Sequence, residues 1–219
     1  MLLYYSPGAC SLAPHIVARE ARIAVDLVRV DLKAKLTEQG DDFLRINAKG
    51  SIPALVLDDG TVLTEGAVIS QFLADLVPEA GLVPATGTLE RYRTLEWLNF
   101  IATELHKGFG PLLRKDTSAE LGAVVKTMLA KKFDTIDRQL TGRDYLLAGG
   151  FSIADAYAYT VLSWAPHLGI GLERWPSLIT YLERVSSRPS VRTAKAAEGL
   201  IAAEGLNAHA QPDGNSTCS

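Results

Sequence analysis

Cysteine is scarce: two occur in 219 residues, Cys10 near the front and Cys218 near the end. A pair so far apart does not make a disulfide framework, and a reduced, cytoplasmic setting is expected. Positive charge is not in surplus either. Lys and Arg number 22 against 25 Asp and Glu, a net charge of -3, and the basic residues are scattered. That leaves no electrostatic footprint for nucleic acid. No apolar run approaches the roughly 20 residues a membrane helix needs. The opening MLLYYSPGAC has no positive n-region and too short a hydrophobic run for a signal peptide, so no membrane association is expected. The four His and two Cys show no metal-ligand spacing, and no metal site is expected. Also missing are a glycine-rich phosphate loop, a Gly-x-Ser-x-Gly elbow, internal repeats and low-complexity tracts.

What is present is ordinary globular composition, 47% hydrophobic and 21% charged, in a chain long enough for one large domain or two modest ones. Leu2-Leu3-Tyr4-Tyr5 predicts a strand that ends in the turn Ser6-Pro7-Gly8. Leu12, Ile16, Val17 and Ala21 predict a helix, and Asp26 to Asp31 alternates like a half-buried strand. Ala54 to Leu57 and Thr61 to Thr64 flank Asp59-Gly60 as a hairpin with a type I′-compatible turn. Val68, Ile69, Phe72, Leu73 and Leu76 mark the core face of the next helix. The first eighty residues thus follow the order β-α-β, an irregular or helical link, then β-β-α.

Pro78 to Gly87 is rich in Pro and Gly without periodicity, and is expected to link two domains, 1–80 and 88–203. Beyond it every pattern is helical. Leu89, Tyr92, Leu95, Leu98, Ile101, Leu105, Phe109 and Leu112 predict one long helix, and Leu121 to Leu140 another. Ser152-Ile153-Ala154-Asp155 carries the spacing of a capping box, a device that places a helix and does no chemistry. Residues 204–219 are polar and are expected to form a flexible tail.

The candidates for chemistry are few, and local sequence leaves each with two readings. Cys10 follows a strand and a turn at the start of a predicted helix, where backbone N–H groups and the helix dipole favour an anion and can lower a thiol pKa. It reads equally as a small buried hydrophobe. Pro53 after Ile52 suits the first position of a strand whether the bond is cis or trans. A cis bond would leave Ile52 free to pair with an extended peptide. Glu65-Gly66 at a helix start is either a favourable dipole contact or a site for the two charged ends of an amino acid. Asn99, Thr103, His106 and Gly110 fall on one helix face, either a solvated stripe or part of a site, with Glu104 and Lys107 beside them.

Together these segments resemble one family. Tyr5 to Leu12, Asn47 to Leu55, Leu63 to Gly66 and Glu96 to Lys107 are similar to the corresponding parts of bacterial beta-class cytosolic glutathione S-transferases. Ser152 to Tyr157 matches the capping segment of that family's helical domain, and the likeness runs from about residue 1 to residue 200. The resemblance implies an α/β thioredoxin-like N-terminal domain (βαβαββα, a mixed four-stranded sheet) followed by an all-α C-terminal domain. It implies Cys10 and His106 at the sulfur of glutathione, with Tyr5 as a rival because other classes use an N-terminal Tyr. Ile52, before a cis Pro53, would pair with the cysteinyl part of the tripeptide. Glu65 and Gly66 would hold its γ-glutamyl end and Lys35 its glycyl end, with Lys107 adding to the set. Asn99 and Glu104 would come from the second subunit of a homodimer. Phe109, Leu112, Leu113 and Trp164 would line the hydrophobic-substrate side. Many members carry Ser where this chain has Gly66, so one hydroxyl contact to glutathione is missing.

The activity implied is conjugation of glutathione, a co-substrate rather than a permanently bound cofactor, to small hydrophobic electrophiles in detoxification. The alternatives are glutaredoxin-like thiol–disulfide reduction, glutathione-dependent dehalogenation or peroxide reduction, and a non-catalytic ligand- or protein-binding scaffold. The last loses weight because Cys10, Pro53, Glu65 and His106 are all present.

Overall fold

The computed structural model describes residues 1–202. The expected tail, with Cys218, and the last residue of the 88–203 segment lie outside the described residues.

Five strands form the sheet: β1 (Leu2–Tyr5), β2 (Asp26–Asp31), β3 (Leu36–Thr37), β4 (Ala54–Val56) and β5 (Val62–Thr64), in the order β3-β2-β1-β4-β5. β1 runs parallel to β2 and antiparallel to β4, and the β4–β5 pair is antiparallel. The four expected strands make the body of this mixed sheet, and β3 adds two residues at one edge. Between β2 and β4 the helical content is a single 3₁₀ turn, Phe43–Arg45, capped by Asp42, whose carboxylate accepts from Leu44 N. Alternation along β1 divides the two faces of the sheet. Leu3 points into the main core, whereas Tyr4 packs with Val30, Phe43, Ile52 and Ala54 on the other face.

The hairpin turn differs from expectation. Of its residues only Gly60 takes positive φ (+83°), and Asp59 does not. Gly60 N donates to Leu57 O and Leu57 N to Thr61 O. The loop is therefore three residues long, a type I turn closed by a glycine in the left-handed region, and not type I′.

Helices α1 (Leu12–Glu20) and α2 (Gly66–Leu76) cover the main-core face of the sheet. The helical half follows with α3 (Leu89–Phe100), which continues as a π-helical stretch, Ile101–His106, then α4 (Lys107–Phe109) and a 3₁₀ turn, Gly110–Leu113. The expected long helix is thus continuous but wide in its middle, which rotates the residues after the widening relative to those before it. α5 (Ala119–Leu140), α6 (Ile153–Leu162), α7 (Pro176–Ser186) and α8 (Pro189–Ala197) complete the fold. Every residue of α6 is buried, and α1 packs between α6 and α8. One apolar core consequently runs from the sheet through α1 and α2 into the helical half.

The capping segment works mainly through its aspartate. Asp155 Oδ2 accepts from both the N–H and the hydroxyl of Ser152, while Oδ1 accepts from Leu146 N and Tyr181 Oη. One buried carboxylate thereby joins α6, the loop before it and α7. Asp155→Asn replaces one acceptor oxygen by a donor, and urea denaturation is expected to show a loss of about 1–3 kcal/mol.

Candidate active site

The chain leaves β1 through a turn in which Ala9 N donates to Ser6 O and Gly8 sits at φ +69°. Cys10 follows, two residues ahead of α1. Its thiol lies 3.3 Å from Ile52 O, to which it donates, and the backbone N–H groups of Cys10 and Ser11 are directed at the sulfur. Those donors and nearby Lys107 favour the thiolate, but desolvation outweighs them and pushes the thiol up to about 11. Of the two readings of Cys10, the lowering by a helix start is outweighed: the thiol is a neutral hydrogen-bond donor at pH 7.

The Ile52–Pro53 bond is cis. A Cβ added to Gly66, the first residue of α2, would stand 3.5 Å from Pro53 Cγ, so the two segments meet closely beside Cys10. Glu65, at φ +69°, does not cap α2 with its side chain. Its carboxylate instead takes a 2.7 Å bond from Lys49 Nζ, which also reaches Thr64 Oγ1 at 3.0 Å. Lys35 Nζ donates to Gly50 O at 2.7 Å, and Asn47 Nδ2 to Ser51 O at 2.6 Å. These bonds brace the loop that leads into Pro53.

His106 arrives from the other side, carried by the π-helical stretch. Its Nδ1 is 2.7 Å from Tyr157 Oη, and its ring stands edge-on to Trp164 at 5.3 Å. Burial, then Lys107, lowers its pKa, so the ring is neutral at pH 7. Burial, with Cys10 and Glu65 nearby, raises that of Tyr157. Trp164 Nε1 donates to Gly8 O at 2.9 Å and ties the helical half to the loop before Cys10.

A cleft of about 770 Å³ opens between the two halves, within the range that holds a small ligand (about 300–1,000 Å³). Cys10, Lys35, Ile52, Pro53, Glu65 and Gly66 border it from the first half. His106, Lys107, Leu113 and Trp164 face them from the second. Five expected residues lie outside this lining. Tyr5 is buried in β1 beside Glu198, Glu38 and Arg29, outside the cleft lining. Phe109 is fully buried behind Trp164, and Leu112 packs against the core; neither borders the cleft. Asn99 is exposed on α3, while Glu104 pairs with Lys132. Of the stripe Asn99, Thr103, His106 and Gly110 only His106 borders the cleft, and the π-helical stretch lies between the ends of the stripe. Lys49 and Tyr157 both line the cleft and were not among the expected site residues. Tyr157 could have been noticed as the large polar-tipped residue inside the small-residue run Ile153-Ala154-Asp155-Ala156.

Among the described residues no group of three His, Cys, Asp or Glu could hold a metal ion. No described helix is long and apolar enough to cross a membrane.

The arrangement has close counterparts among known proteins. Family models of the glutathione S-transferase N-terminal and C-terminal domains match residues 8–76 and 100–189. Glutathione S-transferase GstA of Escherichia coli O157:H7 is 48% identical over 200 residues, which span 91% of this chain and all of that protein. The chain belongs to the glutathione S-transferase family. Within it, a structure of the bacterial transferase BphK in a ternary complex superposes with a TM-score of 0.90 at 48% identity, covering 91% of this chain and 100% of that one. A sphingomonad glutathione S-transferase complexed with glutathione gives 0.89 at 44% identity, covering 92% and 100%. A bacterial beta-class glutathione S-transferase of Sphingomonas chungbukensis also gives 0.89 at 44% identity, covering 92% and 100%, so the chain is a glutathione transferase of the bacterial beta type.

Proposed function

We propose that this transferase conjugates the glutathione thiolate to small hydrophobic electrophiles, with Cys10 turning its S–H from Ile52 O to the glutathione sulfur when the tripeptide binds, and His106 facing the same atom. The observation that carries the reading is the state of Cys10. A thiol pushed to about 11 remains protonated at pH 7, and a protonated thiol stabilises a neighbouring anion. The proton of glutathione passes to solvent, its sulfur attacks carbon, and the leaving group departs with the bonding pair. Each unit by which donors lower the glutathione pKa is worth about 1.4 kcal/mol.

Ile52, Pro53, Glu65, Gly66 and Lys35 form the tripeptide side in this reading, with Lys49 beside Glu65 and Lys107 next to His106. Leu113 and Trp164 form the electrophile side. The division into 1–80 and 88–203 follows the same two sides. A homodimer is part of the proposal, supported by the exposed apolar residues Val68 and Leu76 on α2 and Leu89 and Tyr92 on α3. Asn99 and Glu104 would then serve the partner's cleft. Detoxification in the cytoplasm is the setting that suits a free thiol and a cleft with Leu113 and Trp164 on its electrophile side.

Thiol–disulfide exchange led by Cys10 needs a thiolate, and at pH 7 a thiol of this kind supplies about one part in 10⁴. Cys10→Ser keeps a donor and is expected to retain most conjugation of an aryl halide; Cys10→Ala is expected to lose about tenfold in kcat. A Cys10→Ala variant as fast as the parent would overturn the role given to Cys10. Absence of glutathione binding at millimolar concentration by calorimetry would overturn the function.

A further inference from the structure

We propose that Tyr157 is a positioning residue for this reaction: its hydroxyl donates to His106 Nδ1 and holds the imidazole as the tautomer that presents Nε2–H to the glutathione sulfur. The inference rests on the role given above to His106.

Three observations carry it. Tyr157 sits on α6, every residue of which is buried, so its side chain has little freedom, and its ring meets His106 edge-on with centroids 5.8 Å apart. The 2.7 Å contact is the one hydrogen bond that Tyr157 Oη makes among the described residues. If Nδ1 carried the hydrogen, the tyrosine would accept it and its own O–H would be left without a described acceptor. The arrangement that pairs both groups within the protein is the one in which the O–H donates. Since the hydrogen of a neutral imidazole then resides on Nε2, that edge becomes a donor towards the cleft. The reverse tautomer would aim a lone pair at a thiolate and repel it.

The groups that face this pair support the same assignment. Burial first, with Glu65 ahead of α2 adding to it, disfavours a tyrosinate, and burial, then Lys107 on α4, disfavours an imidazolium. The hydroxyl therefore keeps its proton and the ring stays neutral. The widened helical turn that carries His106 brings Nδ1 within reach of α6, which gives the π-helical stretch a function in placing the histidine.

Tyr157→Phe tests the proposal, because it preserves the ring and its packing while removing the donor. The expected result is a fall in kcat of about tenfold with the KM for glutathione changed less than twofold. Combined with His106→Ala it should add nothing. Independently of turnover, ¹⁵N-labelled protein should show His106 as the Nε2–H tautomer in the parent and as a mixture in Tyr157→Phe, with His106→Gln used to assign the signal. A parent spectrum dominated by the Nδ1–H tautomer would overturn the proposal, as would wild-type kcat in Tyr157→Phe. If His106→Ala alone proved as active as the parent, the role of His106 at the sulfur would fall, while the imidazole spectrum would still decide the part played by Tyr157. A Tyr157→Phe protein that failed to fold would leave the parent spectrum to decide.

Discussion

Iodoacetamide will alkylate Cys10 in the glutathione-free protein about tenfold to a hundredfold more slowly than a free cysteine at pH 7.5, with a rate that keeps climbing to a midpoint near pH 11. Two pK units of displacement reduce the thiolate fraction by about a hundredfold. The greater intrinsic nucleophilicity of a more basic thiolate returns part of that. The measurement must be resolved by residue, by mass spectrometry of the Cys10 peptide, since Cys218 is also present. The physical cause is a contest in which desolvation beats two backbone N–H groups and one lysine. The same contest sets a sign for stability. The fold favours the protonated thiol, so the stabilisation is full below the pKa of the unfolded thiol, near 9, and is lost as pH rises from there through about 11. An alkylation midpoint near 7 would mean that the thiolate is stabilised before glutathione binds, and would shift the reading towards nucleophilic disulfide chemistry.

Glu198→Ala will cost about 2–5 kcal/mol of folding stability in urea titrations, about 1–3 kcal/mol for each donor left unpaired, and will raise the KM for glutathione. Glu198 and His15 are both fully buried in their side chains, with Glu198 Oε1 2.9 Å from His15 Nδ1. Arg19 Nε donates to His15 Nε2 at 3.2 Å, so the ring hydrogen lies on Nδ1 and is given to Glu198. The other oxygen, Oε2, accepts from Gly8 N at 2.9 Å. Removing the carboxylate strands one buried donor, on His15, and one half-buried donor, on Gly8. It also frees one side of the Gly8 peptide, whose carbonyl is held from the opposite side by Trp164. Gly8 has a positive φ, and a Cβ there would stand 3.5 Å from Leu200. The turn ahead of Cys10 is thus clamped from the far end of the chain. Glu198→Gln, which keeps one acceptor, should fall between the parent and Glu198→Ala. A loss of stability without a change in KM would confine the clamp to folding.

The strands and most helices were legible because their signals are local. Leu2 to Tyr5, the alternation of Asp26 to Asp31 and the helical spacing of Val68 to Leu76 each place a buried face within one element. Family likeness added the site through short segments around Cys10, Pro53, Glu65 and His106, all of which border the cleft. Failures came where a property depends on more than one element. Phe109 has the right character for a substrate pocket, but the widened turn before it sends the ring into the core. Tyr5 stands near Cys10 in sequence, yet strand alternation and neighbouring carboxylates put it on another side. Asp59-Gly60 has the composition of a type I′ turn and adopts a longer loop.

Sequence alone determined the order of the four main strands and the helices between and after them, the family and the set of residues from which a glutathione site is built, because apolar periodicity, capping residues and short motifs are written in neighbouring positions. Tertiary structure alone decided which of those residues meet and in what protonation state. Burial of Cys10 against Ile52, the reach of Tyr157 to His106 and the grip of Glu198 on Gly8 join positions 42, 51 and 190 residues apart, and desolvation and hydrogen-bond geometry exist only once those distances have closed.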